Sequence, residues 1–132
     1  MVVQFFTIMV PDKNGKFANV ILGHDSIEHV INSPEPFLST TIGRYGNRIA
    51  NGKFTLYGEE HQLTVNNGPN SLHGGPTGFH ARVWDAVQPN ESTVIFNYTS
   101  ADGEEGFPGT LEIEMTYRLE DEANALVIEY RA

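Results

Sequence analysis

The chain has 132 residues, of which 17 are acidic and 8 basic, for a formal net charge of −9. That length suits one domain covering residues 1–132, and an acidic surface disfavours nucleic acid and anionic membranes, whose binding runs on Lys and Arg. The absence of cysteine removes disulfides and thiolate metal sites, and no apolar run approaches the roughly 18 residues of a membrane span.

Met1 to Val10 is apolar apart from Gln4 and Thr7. It lacks the basic start and small-residue cleavage site of a signal peptide, so a buried strand and a cytoplasmic location are expected. Asp25-Ser26-Ile27-Glu28 has the spacing of a capping box. It predicts about one or two helical turns to Ile31, stopped by Pro34 and Pro36. Phe54 to Tyr57, Gly58-Glu59-Glu60 and His61 to Val65 predict a hairpin with its turn at the glycine and two acids. Val83 to Val87 is a shorter strand candidate. Val94, Phe96 and Tyr98 then alternate with Ile95, Asn97 and Thr99.

The clearest period lies near the end. Leu111, Ile113, Met115, Tyr117 and Leu119 alternate with Glu112, Glu114, Thr116, Arg118 and Glu120, which predicts a strand with one dry face. Glu120 to Asn124 supplies a polar turn, and Leu126, Ile128 and Tyr130 resume the pattern as the second arm of a hairpin. Helix is nearly absent, and 13 glycines punctuate many short strands. The expected fold is all-β, a sandwich or barrel, with no repeat, linker or low-complexity tract.

Polar residues cluster in three loops. Asn66-Asn67-Gly68-Pro69-Asn70-Ser71-Leu72-His73-Gly74-Gly75 frames a histidine with glycines and amides, and a glycine pair lets a ligand or another backbone come close. Gly43-Arg44-Tyr45-Gly46-Asn47-Arg48-Ile49 adds two guanidinium groups. It is no phosphate loop, since no Lys-Ser/Thr follows. Together the two loops form an inventory for a neutral, hydroxyl-rich ligand. The plainer alternatives are a surface histidine in a turn and an ion pair between Arg48 and one of the many acids. His80 lies seven positions after His73 and is a candidate for the same site. His24, His29 and His61 are scattered without ligand spacing, so no metal is expected. Asp102-Gly103-Glu104-Glu105-Gly106-Phe107-Pro108-Gly109 offers paired carboxylates but lacks the spaced ligands of a calcium loop. A turn shaped by glycine and proline is the favoured reading. Phe79 and Trp84 are either sugar-stacking faces or core, and core filling is the commoner role.

Thr41 to Ala50, Asn66 to Gly75, Asp102 to Gly109 and Val10-Pro11-Asp12-Lys13-Asn14-Gly15 resemble, in order and spacing, the aldose 1-epimerase (galactose mutarotase) family. The resemblance implies an antiparallel β-sandwich of the galactose mutarotase type, incomplete in this chain. It implies interconversion of the α and β anomers of a hexose of the galactose or glucose class, without a cofactor. It makes Asn47 and Arg48 the sugar-binding pair and His73 the first catalytic histidine, near the ring oxygen. In the family a second histidine, in an Asn-His-Ser-Tyr-Phe-like segment, is the usual general acid, and a glutamate far towards the C-terminus is the general base. Neither segment occurs in these 132 residues, and Glu104, Glu105 and His80 lie in no matching motif. The alternatives are a non-catalytic carbohydrate-binding module and a truncated, oligomerising β-domain. Uncovered strand edges invite pairing, so self-association or a second chain completing the sandwich is expected.

Overall fold

The computed structural model describes residues 3–4, 7–120 and 123–132. The chain forms two compact units, Val3–Thr41 and a larger one containing Ile42–Ala132. Met1, Val2, Phe5 and Phe6 of the expected first strand, and Asp121 and Glu122 of the expected last turn, lie outside the described residues.

In Val3–Thr41, β1 (Met9–Pro11) pairs antiparallel with β2 (Phe17–Asn19). Val3 is buried and Gln4 bridges Thr40, whereas Met9 is half exposed in the short hairpin, so the described residues do not form the continuous buried strand expected for Met1 to Val10. The connecting turn is held by Asp12, whose Oδ1 accepts from the N–H groups of Asn14 at 2.8 Å and Lys16 at 2.9 Å. The predicted helix is α1 (Ile27–Asn32). Its cap is Ser26, whose Oγ accepts from His29 N–H at 3.2 Å, one residue later than the capping-box reading placed it. Asp25 is thereby released to hydrogen-bond the His29 ring.

The larger unit is built on an antiparallel sheet of order β10-β9-β8-β7: β7 (Asp85–Asn90), β8 (Thr93–Ser100), β9 (Leu111–Glu120) and β10 (Ala125–Arg131). The period-two pattern of β9 is realised directly. Ile113, Met115 and Tyr117 are buried, with Met115 at 0 % exposure. Met115 lies opposite Phe96 and Tyr130, and Tyr117 lies opposite Val94 and Ile128. Residues opposite one another share a face, so one apolar face runs across β8, β9 and β10. The strand expected at Val83 to Val87 is shifted to β7. There Pro89 sits on the sheet edge beside a register irregularity, as a residue without an N–H requires.

Two smaller pairs complete the unit. β3 (Arg48–Ile49) pairs with β6 (Ser71–Leu72), and β4 (Lys53–Leu56) pairs with β5 (Glu59–Gln62). The β4–β5 turn is Tyr57-Gly58, with φ of 52° and 87°. Positive φ at both central residues is the two-residue turn that matches strand twist. Glu59 and Glu60 therefore belong to β5, contrary to the expected turn. Phe79 and Trp84 pack edge to face with ring centres 5.5 Å apart, and Tyr98 sits 5.2 Å from Trp84. Trp84 is 1 % exposed, and its Nε1–H donates to the Phe79 carbonyl at 3.2 Å. These aromatics are core and not a sugar platform.

Candidate functional site

The β3–β6 pairing joins the two glycine-punctuated loops. Arg48 lies opposite Leu72, which places Asn47 beside His73. The His73 N–H donates to the Asn47 carbonyl at 3.0 Å, and the Asn47 N–H donates to His73 Nδ1 at 3.0 Å. Both residues take left-handed backbone conformations, φ 69° for Asn47 and 54° for His73. Asparagine is favoured there and histidine tolerated.

The second hydrogen bond decides the chemistry of the imidazole. An Nδ1 that accepts carries no proton, so the neutral ring holds its proton on Nε2. Burial, and then the nearby Arg48 charge, hold the His73 pKa below its ordinary 6.5. His73 is therefore a neutral ring with Nε2–H as its donor.

Arg48 is exposed, and its partners are neutral amides: Nε donates to Asn67 Oδ1 at 2.9 Å and Nη1 to Asn47 Oδ1 at 3.3 Å. No acid pairs with it among the described residues. In a chain with 17 acids, that sets aside the ion-pair alternative and leaves a cation oriented by amides.

The sequence offered several amides as an inventory for a polar ligand, and some of them are structural. Asn66 Nδ2 donates to the Leu72 carbonyl at 2.9 Å, and its Oδ1 accepts from Leu72 N–H at 2.7 Å. Asn70 Oδ1 accepts from Asn51 N–H at 3.2 Å. Gly74 has its own requirement: φ is 85°, and an added Cβ would lie 1.7 Å from the Gly43 carbonyl oxygen.

The chain as a whole is similar to known proteins. The family model described as aldose 1-epimerase matches residues 6–132. The chain belongs to the aldose 1-epimerase family. It is 43% identical to the galactose mutarotase of Bos taurus and to the aldose 1-epimerase of Escherichia coli strain K12, each over 93% of this chain and 35% of the relative. It superimposes on the GalM/aldose epimerase homologue of C. elegans with a TM-score of 0.86 and 35% identity, over 96% of this chain and 38% of the other. The galactose 1-epimerase of Lactobacillus acidophilus NCFM gives 0.69 and 30%, over 89% and 36%. The fold is thus the antiparallel β-sandwich type of this family, and the chain spans about 35% of the length of the curated relatives it matches.

Two further sets of polar groups belong to the loops singled out in the sequence. Arg44, the other loop arginine, is committed internally. It donates to Ser100 Oγ and to the carbonyls of Ser100, Ala101 and Pro108 at 2.9–3.1 Å, and its guanidinium lies 5.9 Å from the Phe107 ring centre. Burial lowers its pKa. It joins the 43–49 loop to the acidic turn.

The carboxylates of that turn are also occupied. Glu104 accepts from Tyr98 OH at 2.5 Å and Ser100 Oγ at 2.8 Å, and burial together with this bond pushes Tyr98 up to about 12. Asp102 accepts from Gly109 N–H at 2.5 Å, and Glu105 from Thr77 N–H at 2.9 Å. The turn is a structural knot, as favoured from its glycines and proline.

His80 is buried in a short helical turn, Phe79–Ala81. Burial and then the electrostatic interaction with the His73 ring lower its pKa. The two imidazoles are electrostatic neighbours, and His80 is the buried one of the pair. Beside Arg48 an open cavity of about 580 Å3 is lined by Arg44, Tyr45, Phe54, Leu56, Phe107 and other residues. It includes neither Asn47 nor His73. Among the described residues no three His, Asp or Glu side chains gather as a metal site, and no helix is long and apolar enough to cross a membrane.

Proposed function

We propose that this chain carries the sugar-holding part of an aldose 1-epimerase, with a hexose of the galactose or glucose class as ligand. Asn47 and Arg48 bind the hydroxyls, and His73 addresses the ring oxygen. The observation that carries this reading is the Asn47 N–H bond to His73 Nδ1. It directs the remaining imidazole proton to Nε2, where it can be donated to an ether-type oxygen.

Anomer exchange needs two proton movements. A base removes the O1 proton as C1=O1 forms, the C1–O5 bond breaks, and O5 takes a proton. Rotation about C1–C2 and the reverse steps give the other anomer. Each positioned proton transfer contributes typically 10²–10⁴-fold. His73 supplies hydrogen bonding at the ring oxygen in this scheme. The base and the second histidine come from segments that match no motif in these 132 residues.

A second reading, sugar binding without turnover, is supported by that same distribution: Asn47, Arg48 and His73 adjoin one another, while Glu104 and Glu105 are engaged as structural acceptors. Calorimetric titration with galactose and glucose tests the shared claim. Heat of binding is expected for the wild-type chain and its loss for Arg48→Ala; no heat with either sugar sinks both readings. Polarimetry on freshly dissolved α-galactose then separates them. A rate above buffer that disappears in His73→Ala supports catalysis, and binding without such a rate supports the binding module.

A further inference from the structure

Glu105 has an unusual set of partners for a turn carboxylate. It adopts φ 50° between Gly103 and Gly106, a left-handed conformation uncommon for a residue with a side chain. Its carbonyl accepts from Thr64 N–H at 3.0 Å, which anchors its backbone just after β5. Its carboxylate reaches into another segment. Oε1 accepts from the Thr77 N–H at 2.9 Å and from the Thr77 hydroxyl. On the same loop, a Cβ built at Gly75 would stand 2.7 Å from Oε2. The loop from His73 to Gly78 is therefore wound around this one carboxylate, with Gly75 bare to admit it.

The remaining bonds of that loop explain why a peg matters. Gly75 N–H donates to the Leu72 carbonyl at 3.1 Å and Gly78 N–H to the Gly75 carbonyl at 3.4 Å. These are local turns that fix shape but not placement. Placement comes from other segments: Asn47 at the His73 end, Gly43 through its bond from Phe79 N–H at 3.2 Å, and Glu105 in the middle. A charged acceptor on a backbone N–H is among the stronger hydrogen bonds. Here it sits on Thr77, four residues from His73.

We propose that Glu105 is a positioning residue for His73: it holds the His73–Gly78 loop so that the imidazole keeps Nδ1 against the Asn47 N–H. Its bearing on sugar chemistry rests on the role proposed for His73, whereas the coupling of Glu105 to the imidazole is a property of the fold alone.

Nitrogen-15 NMR of the His73 ring in the labelled 132-residue chain tests this. The wild type is expected to show one neutral tautomer, with Nδ1 unprotonated. Glu105→Gln keeps an acceptor oxygen for Thr77 and should leave the ring resonances in place. Glu105→Met has similar length and no acceptor. It should move them to the tautomer average, with loss of hydrogen-exchange protection at the Asn47 amide. Met115→Ala lowers stability from β9, outside the His73–Gly78 loop, and should not change the tautomer, which separates positioning from general loosening.

A Glu105→Met chain with the wild-type tautomer and a protected Asn47 amide overturns the proposal. Should that variant fail to fold, exchange in the wild type decides. One common opening rate for the Thr77 and Asn47 amides supports a single unit, and separate rates overturn it. Sugar binding that survives with an unchanged tautomer in Glu105→Met removes Glu105 and leaves His73's role standing. A tautomer that responds in a chain that binds no sugar does the reverse.

Discussion

Two arginines four positions apart do opposite work, and their partners say so. Arg44 spends four donated bonds on carbonyls and a buried hydroxyl, a set only a planar fork can satisfy. Arg44→Lys should therefore destabilise the chain by on the order of 2–3 kcal/mol, since bonds to a charged donor are lost and buried acceptors stranded. Arg48 is exposed and oriented by two amides, so Arg48→Ala should change stability by no more than about 0.5 kcal/mol while removing sugar binding. Thermal melts of the two variants check the contrast, and equal destabilisation would contradict it.

The histidines add a pH signature. His73 and His80 both have pKa values lowered from 6.5 by burial. The unfolded chain then takes up protons that the folded chain refuses, so their contribution is fully present above pH 6.5 and is lost as pH falls below it towards the folded values. His80→Gln should flatten the fall in melting temperature across that range relative to wild type; an equal fall in both contradicts the assignment.

At the scale of elements, β9 ties the larger unit together through Met115, which meets Phe96 on one side and Tyr130 on the other. Met115→Ala should cost about 2–5 kcal/mol, the usual range for emptying a core site, measured by denaturant unfolding. The strict period of β9 was legible in the sequence for this reason: its alternation reports burial of Ile113, Met115 and Tyr117 on one face, whereas in β10 the same alternation marks a face that stays exposed at Ile128 and Tyr130. The misses lie where local geometry decides. The β4–β5 turn fell to Tyr57-Gly58 because positive φ at two successive residues suits strand twist, and tyrosine does not advertise that conformation. The cap moved from Asp25 to Ser26 because Asp25 found the His29 ring. Asn47, Arg48 and His73 were legible as a group through their glycine-rich settings and the family resemblance. The bonds of Glu105 to Thr77 and the internal use of Arg44 were not, because both depend on contacts some 28 and 56 residues away in sequence.

For the whole molecule, the informative fact is proportion. The chain matches its relatives over nearly all of its own length but about 35% of theirs. On the apolar face of the main sheet, exposure rises towards β10, where Ile128 is 42% and Tyr130 55% exposed. Such a face favours cover, and we propose that self-association or a second polypeptide supplies it. Light scattering behind size exclusion should then give a mass above the 14.6 kDa of one chain; a monodisperse monomer would count against this.

The central claim, however, concerns the three residues that β3 and β6 bring together. It is tested most directly by titrating galactose into the isotopically labelled chain and following amide and ring resonances. The account predicts saturable shifts centred on Asn47, Arg48 and His73, abolished by Arg48→Ala. Shifts absent at saturating sugar, or confined to residues outside this cluster, would contradict it.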